Sequence, residues 1–281
     1  MGFSARAVRL GVVAVCIAIA GLSAGCTGER IAGWYVTRKI DGYLDLSSTQ
    51  KDWVRSRVDH HLIALRKEML PEAVRLMRRT RAVVARRPTR AEVKKLQRAV
   101  DDLVDRFVAR LVPDTAALFA MLNDAQIEHF RTEVRADLDD SYGDLPKAPN
   151  ERKKDAAEKL VEAVEDWVGD LTKPQVAGLL GLAKQLPDER PAIYRANVAR
   201  LNDFVTFLRD DPDRQAIARK LGHMWRTRYE GLGPDRGHES RRAEQRRVLL
   251  TIDRMLTMEQ RRHVVDEIND RIAKIKRYAL P

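Results

Sequence analysis

Apolar residues recur at helical spacing in most windows of this chain, and no stretch alternates with the period of two that a half-buried strand needs. Val54, Val58, Leu62, Leu65 and Met69 form one stripe, and Val93, Leu96, Val100, Leu103, Phe107 and Leu111 form another. Leu160, Val164 and Trp167/Val168 continue the pattern, followed by Ile217, Leu221 and Trp225, then Val264, Ile268, Ile272 and Ile275. The opposite faces carry Arg, Lys, Asp and Glu, so these are amphipathic helices sharing a core. An aromatic share of 6% also argues against a sheet-rich sandwich or barrel. The expected fold is all-α, a multi-helix bundle or helical array of about ten helices, continuous or in two lobes.

Breakers divide the pattern. Pro71 and Pro113 are expected to kink or divide long helices, because an interior proline removes one backbone bond and clashes with the preceding turn. Residues 142–150, rich in Pro, Gly, Asn and Asp, read as a linker between an N-terminal helical half, 30–141, and a C-terminal half, 151–281. Residues 231–237, with three glycines and a proline, read as a second loop.

The first 25 residues read as an export signal: Arg6 and Arg9, an apolar run over 10–20, then small residues. The apolar run is too short to cross ~30 Å of hydrocarbon comfortably. It ends Leu22-Ser23-Ala24-Gly25-Cys26, which resembles a bacterial lipobox, with Leu22 one place further from the cysteine than the pattern prefers. The resemblance implies a diacylglyceryl group on Cys26 and residues 26–29 as a short tether. An unlipidated secreted protein and a signal anchor are the alternatives. Loss of residues 1–25 would lower the net charge from +11 to +9 and leave 256 residues without a free thiol. Thr27 stands where an aspartate would retain a lipoprotein at the inner membrane, so the expected location is the periplasmic face of the outer membrane.

The most specific internal signal is a repeated helix start. Leu46, Ser47 and Gln50 begin the series; Leu122, Asn123 and Gln126 repeat it, as do Leu171, Thr172 and Gln175, and Leu256, Thr257 and Gln260. Each copy reads Leu, a capping residue, two variable positions, then Gln. The physics is a capping box: the cap oxygen accepts from an orphan amide, and the glutamine reaches back to the cap's own N–H. Thr89 to Glu92 is a fifth box with Glu in place of Gln. Starting helices is a sufficient role, at ~0.5–2 kcal/mol per cap. Four such copies also resemble the LTxxQ motif of the Spy and CpxP periplasmic chaperones, which implies a holdase as the alternative function.

A broader resemblance begins near residue 34. Trp34-Tyr35, Tyr43-Leu44-Asp45-Leu46 running into Gln50, and Leu65-Arg66-Lys67-Glu68-Met69-Leu70-Pro71 resemble a family of predicted proteobacterial lipoproteins whose domain has no assigned function. Leu111-Val112-Pro113-Asp114 and residues 122–126 fit the same family. The resemblance implies an all-helical envelope lipoprotein and transfers no catalytic residue. With so short a tether, the helix beginning near Arg30 would lie at the headgroups. Trp34 and Tyr35 suit that interface, with Arg30, Arg38 and Lys39 available for phosphates. Packing of Trp34 and Tyr35 into the bundle is the competing reading.

No reaction centre is legible. The six histidines form neither HExxH nor paired Glu-x-x-His motifs, and no P-loop, GxSxG or dinucleotide turn is present. The expectation is therefore a non-enzyme with no cofactor and no metal. Pairs such as Arg241-Arg242, Arg246-Arg247 and Arg261-Arg262 alternate with acids and read as solvated faces. Nucleic acid would lie in the wrong compartment. The expected partners are the membrane, through Cys26, and an envelope protein or polymer.

Overall fold

The computed structural model describes residues 28–230 and 237–279. Among them are eleven α-helices and no strand: α1 (Gly28–Leu44), α2 (Ser48–Ala64), α3 (Leu70–Val84), α4 (Arg90–Phe119), α5 (Asp124–Ser141), α6 (Pro149–Val168), α7 (Lys173–Lys184), α8 (Arg190–Arg209), α9 (Arg214–Arg226), α10 (His238–Met255) and α11 (Met258–Ala279). A π-helical turn, Leu65–Met69, joins α2 to α3 without a break, so ten continuous helical runs result. The fold is an all-α helical array. No helix among the described residues is long and apolar enough to cross a membrane.

Two hydrophobic cores hold the array together. The first gathers Val36 and Leu44 of α1, Val54 and Val58 of α2, Ala116 and Leu118 of α4, Phe130 and Leu138 of α5, Phe204 and Leu208 of α8, and Ile217 of α9. The second gathers Val74 of α3, Leu160 and Val164 of α6, Leu179 of α7, and Val264, Ile268 and Ile272 of α11. Each fully buried Val, Leu, Ile or Phe contributes roughly 1.5–3 kcal/mol. Leu65, Leu70 and Phe107 form a smaller cluster around the π turn. Thirty residues make α4 about 45 Å long, enough to contribute to the first core and to pack against α3 and α10 as well.

The chain is interleaved between these cores. Helices α8 and α9 return to the first core, while α3 leaves the N-terminal part to join the second. Residues 142–150 therefore connect helices without separating two cores drawn from successive halves. The reason is local: Tyr142 is buried in the first core, and Arg152 and Arg190 bind the segment from either side.

Three other sequence expectations change in detail. Pro113 lies inside α4 and does not divide it. Pro71 follows the π turn, whose extra residue makes room for a ring that would otherwise press on the preceding turn. Within α4 the buried position falls to Gln97, while Val100 is 43% exposed. Gln97 faces inward because its amide joins Arg242 O (3.2 Å) and Arg246 Nη1 (2.9 Å) of α10.

The basic pairs are also less solvated than their sequence pattern implies. Arg246 and Arg261 are buried, the latter bonded to Asp253 Oδ1 (2.6 Å) and to the Val84 carbonyl (2.7 Å). Arg242 pairs with Asp101, and Arg241 with Glu189 at 2.6 Å. These arginines cross-link helices, since a long side chain can bury its stem while its fork satisfies acceptors on a neighbour.

Candidate functional site

All five capping boxes form. The four glutamine boxes do more, because they meet in pairs. Gln50 Nε2 donates to Gln126 Oε1 (3.2 Å) and Gln126 Nε2 donates back to Gln50 Oε1 (2.8 Å). Gln50 also donates to the Met121 carbonyl (2.8 Å), and Gln126 to that of Asp45 (2.9 Å). The second pair repeats the arrangement: Gln175 and Gln260 exchange bonds of 2.7 and 3.0 Å, and donate to the carbonyls of Met255 (2.7 Å) and Asp170 (2.8 Å).

In every case the acceptor carbonyl belongs to the residue two before the partner's N-cap. Each amide oxygen accepts from its own cap N–H and from the partner amide, so both N–H bonds and both lone pairs are used. These clasps fasten the start of α2 to that of α5, and the start of α7 to that of α11. Glu92 has no amide to donate, and its box stands alone, bonded to Thr89 N–H (2.9 Å) and Arg86. The Gln/Glu difference was visible in the sequence; what it distinguished was not.

Of the two helices joined by the first clasp, α5 also forms one wall of an apolar cavity. A cavity of 340 Å³ lies between α1, α4, α5, α8 and α9. Its wall includes Leu111, Leu118, Leu201 and Leu221, with Phe119, Phe130 and Phe204 meeting edge to face at 5.0–6.3 Å. That volume is at the lower end of the ~300–1,000 Å³ usual for small-molecule sites. Tyr43 also lines it; burial and the neighbouring Asp137 carboxylate, to which its hydroxyl donates, push its ionisation well above the usual phenol range. The wall is therefore uncharged there.

Charge enters at Arg200 and Arg228. Arg200 donates from Nη1 to Asn197 Oδ1 (3.1 Å) and from Nη2 to the Glu230 carbonyl (2.7 Å). Burial lowers its pKa, with the Glu230 charge acting in the opposite direction. Arg228 lies over the Trp225 ring at 3.9 Å and approaches Asp105 at 3.4 Å, while Trp225 Nε1 donates to the same carboxylate (2.7 Å). Beyond Trp225 and Arg228 a second cavity of 480 Å³ adjoins the first, lined also by Asp105, Tyr229 and His238.

A smaller cavity of 130 Å³ beside the π turn, sharing Ile40, Leu111, Thr115 and Leu118 with the first, contains the closest His–carboxylate contact among the described residues. His61 Nε2 lies 2.9 Å from Asp114 Oδ2, and burial lowers the histidine pKa despite that carboxylate. Its Nδ1 is buried with no hydrogen-bond partner in the structure. A neutral ring with its proton on Nε2 fits both observations. Fifty-three positions separate the two residues, so no local motif could have joined them. No group of three or more His, Cys, Asp or Glu among the described residues is arranged to hold a metal ion.

Of the membrane-proximal residues, Trp34 and Tyr35 are 54% and 41% exposed. Their relation to Arg38 and Lys39, one turn along, makes a single outward face, while Gly33, Val36 and Thr37 turn inward. Arg38 lies 5.3 Å from the Trp34 ring, and Lys39 lies 5.9 Å from that of Tyr43. The side chain of Arg30 and all of Cys26 lie outside the described residues, as do the signal and the first half of the tether, while Gly28 and Glu29 begin α1. Both rings are thus partly open to solvent, Trp34 more so than Tyr35.

Residues 42–229 match the model of a family of unknown function, DUF6279. The chain belongs to that family. No curated protein and no solved structure matches it. The family span includes the Gln50–Gln126 clasp and every residue lining the 340 Å³ apolar cavity except Ile40. It ends before α10 and α11, so Gln175 lies inside it and its partner Gln260 outside.

Proposed function

We propose that the chain is an exported lipoprotein, tethered through Cys26 to the periplasmic face of the outer membrane, with a non-catalytic binding role toward an envelope component. The observation that carries the binding role is the 340 Å³ apolar cavity, enclosed by five helices and edged by two guanidinium groups. It offers burial to an apolar ligand. The chaperone alternative rests on the four glutamine boxes, and the clasps already employ those glutamines.

The tether is tested by Cys26→Ser. The variant is expected to leave the membrane fraction for the soluble periplasmic fraction, or to stay as an uncleaved precursor, and its mass lacks the diacylglyceryl and acyl increments. A Cys26→Ser protein of correct processed size that remains as membrane-bound as the parent refutes the anchor.

The exposed aromatic face gives a second expectation. An amphipathic ring at the headgroup level is quenched by brominated lipid, so the full chain in bilayers should lose tryptophan fluorescence. Trp34→Phe should remove most of that loss, leaving Trp53, Trp167 and Trp225 unquenched. Equal quenching with and without Trp34 places this face away from the membrane.

A further inference from the structure

The 340 Å³ apolar cavity combines two features that point to one class of ligand. Its interior is apolar, so it favours a hydrocarbon chain, which gains roughly 0.8 kcal/mol per buried methylene. At residues 225–230, where it meets the adjoining cavity, Arg200 and Arg228 bring two cations to its edge. Arg228 is already satisfied in part by Asp105 at 3.4 Å. Arg200 differs: it is half-buried, and among the described residues its hydrogen bonds run to a side-chain amide and a backbone carbonyl, with no carboxylate within ion-pair distance. A guanidinium drawn partly out of water, with the Glu230 charge acting on it only at longer range, carries a desolvation cost that a directly bound anion offsets.

We propose that this cavity binds a single-chain amphiphile with an acidic head, resting on the binding role argued above and naming its ligand. The acyl chain lies among Phe119, Phe130, Phe204 and Leu221, and the head meets Arg200 with Arg228 beside it. A carboxylate and a phosphate monoester both offer the oxygens that a guanidinium fork engages. The shared chemistry is therefore an anionic head on one hydrocarbon chain, whether it comes from a free fatty acid or a lysophospholipid.

Photo-labelling tests this. The full chain, reconstituted in discs of zwitterionic lipid, is irradiated with palmitic acid bearing a diazirine in its chain, with the matching fatty alcohol, and with the matching lysophosphatidic acid. Labelled peptides are then mapped by mass spectrometry. Both acidic probes are expected to label the segments carrying Phe119, Phe130, Phe204 or Leu221, and the stronger of the two identifies the head. The alcohol should label them about tenfold less, as loss of a charge-assisted hydrogen bond implies. Arg200→Gln should lower acid labelling by about the same factor and leave alcohol labelling unchanged, whereas Arg200→Lys retains most of it.

Equal labelling of the cavity by acid and alcohol overturns the acidic-head assignment and leaves an apolar binding role standing. Absence of label from the cavity with all three probes overturns both. Should Arg200→Gln misfold, as a lowered Tm would reveal, the comparison of acid with alcohol on the parent chain decides alone.

Discussion

Gln260→Glu is expected to destabilise the purified chain by about 3–5 kcal/mol near neutral pH, as for a buried charge without a partner. The change is one atom, NH₂ to O, and nearly isosteric. In the native clasp Gln260 Oε1 accepts from Thr257 N–H (3.0 Å) and Gln175 Nε2 (2.7 Å), while Nε2 donates to Asp170 O (2.8 Å) and Gln175 Oε1 (3.0 Å). A carboxylate keeps the first two bonds and turns the last two into contacts between acceptors. Both glutamines are more than nine-tenths buried, so water cannot substitute.

The pH dependence has a definite sign. Burial among acceptors raises the introduced carboxyl's folded pKa above its unfolded value of about 4.3. The folded state then binds more protons across the interval between the two. Stability of the variant relative to the parent is accordingly greatest below the unfolded value and declines as pH rises through it to the folded one. Urea denaturation followed by circular dichroism at low and neutral pH measures this; a loss below about 1 kcal/mol at both would mean the amide is not needed as a donor. The corresponding change in the lone box, Glu92→Gln, is expected to move the urea midpoint far less, because Glu92 clasps no second helix start.

The contrast between these boxes marks how far the sequence could be read. Capping boxes are local, and Ser47, Thr89, Asn123, Thr172 and Thr257 all cap helices where their spacing places them. The partner of each glutamine lies 76 or 85 positions away, so the clasp follows from tertiary packing and from no local rule. The same holds for the cavity. Leu111, Leu221 and Trp225 of its wall are legible one helix at a time in core stripes, and each reads as ordinary packing. That α8 and α9 return to the first core, leaving a space edged by Arg200 and Arg228, depends on the interleaved order of the helices. Gln97 shows the opposite failure: hydropathy assigns it to solvent, while two arginines on a distant helix make it the buried residue of its turn.

Arg152→Met is expected to cost about 3–5 kcal/mol and to expose residues 142–150 to protease, for reasons that also account for the interleaving. Arg152 is 9% exposed, and its Nε and Nη2 engage Asp188 Oδ2 at 2.8 and 2.7 Å. Its Nη1 donates to the carbonyls of Leu145 (3.0 Å) and Lys147. Methionine retains the apolar stem but leaves a largely buried carboxylate and two carbonyls without donors. Across the segment, Arg190 donates to Ser141 O (3.0 Å), pairs with Asp144 and lies over the Tyr142 ring at 5.1 Å. A chain that leaves the first core at Tyr142, builds α6 and α7 in the second, and returns through α8 must hold its crossing point, and these arginines bridge the outgoing and returning strands of chain there. With Arg152 removed, trypsin should cut after the exposed Lys147 at least about tenfold faster, following the larger open population that a loss exceeding 1.4 kcal/mol allows. An unchanged cleavage rate in a correctly folded Arg152→Met protein would show that Tyr142 and Arg190 hold the crossing without it.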